Sequence, residues 1–285
     1  TFVENLPAEL RAAYWREIVP GPVLGEAEEL RYIVDQLLDA GRHRAAFNAL
    51  QFHPERVDSE RLAGILEGIR SGADPEGGAL DGWRIGRALA ALGQDASFSR
   101  RDLAVLEYHY FEALRAGHGH QATTLFSEMS TDPALFMDVV SLAAPTNPEA
   151  VSASARTHAW SVLHSGRGMP GIQAGGVVDE RAFFDWIDGV LRIAHERDLT
   201  DHAASNLGTW LSECPAEPEG DWPCIVVRQL LENPSNERIR NGFIIGVLNN
   251  RGVHSRAIDA GGNQERTLAQ QFRDGANRLL AAFPR

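Results

Sequence analysis

A chain of 285 residues with 44% apolar and 23% charged side chains has the balance of a globular protein, which excludes a disordered or collagen-like chain. Its formal net charge of −12 opposes the release of counterions by which basic faces hold nucleic acid, and it disfavours anionic membrane surfaces. All 27 basic side chains are arginine, so lysine Schiff-base chemistry and a lysine-bearing phosphate loop are excluded, and a high-GC bacterial source is expected.

No apolar run approaches the roughly 20 residues that span a bilayer. The opening segment "TFVENLPAEL" lacks a basic stretch followed by an apolar one, so no secretory signal is expected and a cytoplasmic location is. The chain has no initiator Met, and it starts and stops as if cut from something longer.

Helical periodicity begins early. Leu30, Ile33, Val34, Leu37 and Leu38 recur at the spacing of one apolar helix face. Leu62, Ile65, Leu66 and Ile69 repeat it, followed by Ile85, Ala88, Leu89 and Leu92. Gly41, Gly93 and Gly117 each follow such a face, where a left-handed residue ends a helix. Ser99 and Asp102 form a capping box ahead of Leu103. Asp132, Asn147 and Asn233 each precede a proline suited to the first helical position. Further on, Phe183, Trp186, Ile187, Val190 and Leu191 mark another face, as do Ile239, Phe243 and Val247, then Leu268, Phe272 and Leu279. About a dozen helices of 10–18 residues with short loops are predicted. The short runs "GVV" (176–178) and "CIVV" (224–227) are too brief to define strands.

The segments "LLDAGRHRAAFNAL" (37–50) and "ALRAGHGHQATTLF" (113–126) resemble each other, each with an apolar helix end, Ala-Gly, a polar turn with His and a second apolar helix. Their Ala-Gly pairs lie 76 residues apart, or two units of 38, near the helix-pair period of roughly 40 residues in HEAT arrays. The expected fold is therefore all-α, with antiparallel helix pairs stacked as a HEAT-like α-solenoid or helical array. Because "HSGRGMPGIQAGG" (164–176) is the longest Gly-rich stretch, a flexible connector is expected at 166–176 between halves at 1–165 and 177–285.

Candidate chemistry is sparse. The loop "NNRGVHSRAIDAGGNQER" (249–266) carries Asn250, Arg251, His254, Arg256 and Arg266, and planar guanidinium groups suit carboxylate or phosphate. Asn263 is expected to cap the final helix. From Glu237 to Arg285 eight Arg stand against four acids. The competing reading pairs these arginines with Asp259, Glu265 or the acidic loop at 213–221, holding the last two helices together. His109, His118 and His120 near Glu107 and Glu112 offer zinc-type donors, without an H-E-x-x-H or C-x-x-C spacing. The glycine loop lacks G-K-[ST] and follows a helical pattern rather than a strand, so no cofactor is expected. Cys214 and Cys224 are either two reduced thiols or one bridge across the Pro-rich loop between them. Among six Trp, Trp83, Trp160, Trp186 and Trp210 fall in helical patterns and are expected in the core. Trp15 and Trp222 lie near helix ends or loops, where aromatic residues anchor interfaces.

The stretch "DWPCIVVRQLLENPSNERIRNGFIIGVLNNRGVHSRAIDAGGNQERTLAQQFRDGANRLLAAFPR" resembles C-terminal helical segments of large bacterial multidomain proteins, some associated with STAND-type or other NTPase regulators. The likeness covers residues 165–285 and centres on "NNRGVHSR" and "GGNQER". It implies a helical sensor or interaction arm and transfers no catalytic residue. The expected function is a non-catalytic interaction module for a protein or peptide partner, or for other domains of a parent chain. The alternative is an anion- or nucleotide-binding domain or enzyme using the 249–266 loop.

Overall fold

The computed structural model describes residues 3–19, 26–50, 53–72, 80–117, 121–166, 168–218, 220–250, 262–280 and 283. Among them are fifteen α-helices, four short 3-10 turns and no strand. The all-α expectation therefore holds for the described residues. The chain divides into two compact units, Thr1–Leu125 and Phe126–Arg285.

The first unit contains α1 (Ala8–Glu17), α2 (Ala27–Asp39), α3 (His43–Leu50), α4 (Ser59–Arg70), α5 (Gly82–Gln94), α6 (Arg100–His109) and α7 (Phe111–Ala116). Consecutive helices from α2 to α7 pack on one another. The core is the periodic face read from the sequence, with Leu30, Val34, Leu37, Leu62, Ile65, Leu66, Ile85, Leu89 and Leu92 buried. Burial of such side chains contributes about 1.5–3 kcal/mol each.

Local signals account for the helix ends. Asp58 accepts from the Arg61 amide at 2.9 Å and Ser99 from the Asp102 amide at 3.2 Å. At Gly41, with φ +73°, the Arg42 amide reaches Leu37 O and the Gly41 amide reaches Leu38 O, both at 2.8 Å. These paired bonds close α2 in a left-handed cap. The other two glycines do not follow suit. Gly93 lies inside α5, and Gly117 ends α7 with φ −95°. Gly117 serves close approach instead: a Cβ there would lie 2.6 Å from the Gly82 carbonyl carbon. The two Ala-Gly turns of the sequence repeat thus have different backbones.

The division between units falls within α8 (Thr123–Thr131). The second unit continues with α9 (Pro133–Ala143), α10 (Ala153–Ser165), α11 (Glu180–Glu196), α12 (Thr200–Leu211), α13 (Ile225–Glu232), α14 (Glu237–Asn250) and α15 (Asn263–Leu279). Asp132 caps α9 through the Ala134 amide at 2.8 Å, ahead of Pro133. At its centre Phe136 meets Trp186 and Trp210 edge-on at 5.3 and 5.5 Å, and Phe126 meets Trp210 at 5.9 Å.

The Gly-rich segment expected to be a flexible connector lies inside this unit; residues 166 and 168–171 are buried or half-buried, and 172–177 are exposed. A Cβ at Gly166 would fall 1.9 Å from the Trp210 ring, and one at Gly168 would fall 2.1 Å from Ser130 Oγ. Met169 is buried, and Ile172 pairs with Val178 in an isolated antiparallel bridge. Glycine is used here so that backbone can lie against an indole, which composition alone reads as looseness.

Candidate functional site

The most distinctive geometry of the second unit is the crossing of α12 and α14. A Cβ built on Gly208 would lie 2.0 Å from Ile239 O, and one on Gly242 would lie 2.1 Å from Ser205 O. At Gly246 it would lie 2.4 Å from Ser212 Oγ. Missing side chains at these three positions let the two backbones touch. Polar groups thread the same seam: Thr209 Oγ1 donates to Gly242 O at 3.2 Å, and Ser212 Oγ donates to Thr209 O at 2.7 Å. Asn250 Nδ2 closes the seam on Ser212 Oγ at 2.9 Å.

With Ile239, Gly242, Phe243 and Gly246 turned inward, the opposite side of α14 faces solvent. Ile244, Ile245 and Leu248 are 49%, 51% and 55% exposed. Their spacing, one residue and then three, makes one continuous apolar stripe. Exposed apolar residues are ordinary singly; here three large ones adjoin on one helix. Among the described residues, two arginines of α14 are engaged. Arg240 donates to Leu231 O at 3.0 and 2.8 Å, satisfying the end of α13, and Arg238 pairs with Asp201 at 3.4 Å.

Of the residues expected to bind an anion, Asn250 instead clamps α14 to the end of α12. Arg266 lies exposed in the first turn of α15 and donates to Asn263 Oδ1. Arg251, His254 and Arg256 lie outside the described residues. Gly262, with φ +76°, precedes α15, so Asn263 is its first helical residue rather than its cap. Arg278 pairs with Asp221 of the acidic loop at 3.2 Å, which fits the reading of these arginines as structural ties.

Among the aromatic candidates, Trp15 is buried, edge-on to Tyr14 and Tyr32 at 5.1 and 5.9 Å, and its carbonyl accepts from Arg42 at 3.2 Å. Trp222 is half-buried, stacked on Phe243 at 5.4 Å, with Nε1 donating to Cys214 O at 2.9 Å. Trp83, expected in the core, is 42% exposed; its helix starts there and Arg87 stacks over its ring at 5.4 Å.

His109 is exposed at the end of α6, and His118 and His120 lie outside the described residues. Glu107, placed near them by sequence, is buried and accepts from the Leu125 amide at 2.6 Å. No group of three metal-binding side chains forms among the described residues. Nor is any described helix long and apolar enough to cross a membrane.

The stripe on α14 was missed because "GFIIGVL" exceeds one helix face, which periodicity cannot apportion between core and surface. Its one legible signal was the pair of glycines four apart, Gly242 and Gly246, which marks the inward side. Fold and surface together define an all-α protein with an exposed apolar helix face. Comparison with family models, curated proteins and solved structures finds no match.

Proposed function

We propose that this chain is a non-catalytic interaction module, built of stacked helix pairs in the manner of HEAT arrays, that binds a protein or peptide partner. The observation that carries the reading is the Ile244–Ile245–Leu248 stripe, held in solvent on a helix whose other side is anchored to α12. The partner chemistry follows from charge. Residues 237–285 hold eight Arg and four acids within a chain of net charge −12. An amphipathic helix with an apolar face complements the stripe, and acidic flanks complement a segment of that charge.

The test is selection of helical peptides on the whole chain, followed by affinity measurement against the L248D variant. Selected peptides are expected to carry apolar residues at positions i, i+3 or i+4, and i+7, among acids. The variant is expected to bind them about 10- to 100-fold more weakly, since burying one Leu is worth about 1.5–3 kcal/mol. Equal affinity for both proteins, or no enrichment of helical peptides over a scrambled library, overturns the proposal.

A further inference from the structure

Resting on the reading of the α14 stripe as a contact surface, we propose that a second copy of this chain covers it, the two α14 helices lying parallel about a two-fold axis. The apolar stripe is part of a longer line. Glu237, Asn241, Ile244 and Leu248 are all exposed, and they step along the helix by four, three and four residues. That alternation lets two helices seat knobs in each other's holes, with Asn241 and Leu248 at a positions and Glu237 and Ile244 at d positions. The other sides of the helix agree. Ile239 and Gly246, at f positions opposite the seam, are buried, as are Gly242 and Phe243 at b and c. α12 packs on that back side and leaves the a–d seam outermost.

The seam complements itself. An amide both donates and accepts, so Asn241 at an a position is matched by Asn241 of a parallel second copy. Such an Asn sets register and strand number at some cost in stability. In the same alignment each Ile244 packs beside Ile245 of the second copy, at its e position, which accounts for a second exposed isoleucine next to the seam. Charges complement as well. Glu237 at d comes beside Arg238 of the second copy at e, opposite in sign, and the two-fold axis repeats the contact. Arg238 pairs with Asp201 at 3.4 Å within the chain, but these side chains are 67% and 70% exposed, and so open a pair is weak enough to rearrange.

In isolated helices Leu at a with Ile at d favours three or four strands. Here the b, c and f sides are already buried, so the exposed side accommodates one further helix. Fourteen residues supply two heptads, which bury less than the roughly 1,200 Å² of stable complexes. The pair is therefore weak, with a Kd of about 10–100 μM. At about 1 μM the chain is a monomer with its stripe exposed, open to the helical peptides of the broader reading.

The experiment is sedimentation equilibrium of the whole chain from about 1 to about 500 μM, a range that brackets such a Kd. A monomer–dimer equilibrium is expected, which L248D weakens at least about tenfold. Ile172→Asp, at an exposed apolar residue elsewhere in the same unit, is expected to leave it unchanged. Asn241→Leu is expected to tighten it at least about fivefold, because it replaces a buried amide pair with apolar contact. That gain of affinity tests the seam whatever the folding of L248D. A trimer or tetramer, a dimer that ignores Asn241→Leu, or one that Ile172→Asp weakens as much as L248D does, overturns the proposal. A monomer at every concentration that still binds selected helical peptides overturns this inference alone and makes a foreign helix the occupant. A monomer that binds no such peptide removes the interaction reading with it.

Discussion

Helices α9 and α14 are both rich in adjacent apolar residues, and the second unit treats them in opposite ways. In α9, Leu135, Phe136, Met137, Val139 and Val140 are all buried, because α10, α11 and α12 pack around it. In α14 the run Phe243-Ile244-Ile245 is split, with Phe243 inside and the two isoleucines half exposed. The sequence around each reads alike. What differs is how many neighbours surround the helix, and that number is decided by the packing of other segments. An apolar run wider than one face thus signals either burial on several sides or a face awaiting a partner.

The largest effect that would break this comparison is at the seam. Replacing Gly242 with Leu puts a branched side chain where even a Cβ would lie 2.1 Å from Ser205 O. Neither backbone can retreat without losing the Thr209–Gly242 and Asn250–Ser212 bonds, so a loss of about 4 kcal/mol or more is expected. Urea denaturation measures it; a loss below about 1 kcal/mol would show that the helices are not in backbone contact.

A matched pair of substitutions sharpens the contrast. Phe136→Ala in α9 removes a ring with no solvent exposure and two aromatic neighbours, Trp186 and Trp210, and is expected to cost about 3–5 kcal/mol. Leu248→Asp in α14 alters a residue that is 55% exposed and is expected to shift stability by no more than about 0.5 kcal/mol. Comparable losses at the two sites would mean that the α14 stripe is covered in solution.

The smallest effect is electrostatic, and it belongs to the first unit. The Ser59 hydroxyl, then the Ser97 hydroxyl and amide, donate to Asp95 and hold its carboxyl below the usual range. The Arg70 guanidinium, by hydrogen bond and charge, does the same for Glu67. A carboxyl depressed in the folded state stabilises above its unfolded value, about 3.9 for Asp and 4.3 for Glu, and loses that contribution as pH falls through the lower folded value. Thermal midpoints are therefore expected to decline modestly below about pH 4.5, since both groups face solvent. D95N is expected to reduce that decline, and an unchanged acid limb would remove Asp95 from the account.

Much of the local architecture was legible. Period 3.6 located the faces of α2, α4, α5 and α11, and Ser99, Asp132 and Gly41 marked the starts of α6 and α9 and the end of α2 through bonds that depend only on near neighbours in the chain. Asp198 shows the limit: its φ of +56° ends α11 as a glycine would, in a residue type that visits that conformation only occasionally. The division at Leu125, the packing of Gly166 and Gly168 and the burial of Trp15 were hidden for a different reason. Each depends on a residue distant in sequence, such as Trp210 against Gly166 or Arg42 against Trp15.

By itself, then, the chain's order of residues determined a helical, lysine-free, acidic protein, because turn period, caps and net charge are properties of neighbours and sums. Only the tertiary structure decided which glycines are helix caps and which are contact points, and which isoleucines are covered. Those outcomes rest on close approach between segments, and close approach is a property of the fold that no window of sequence contains.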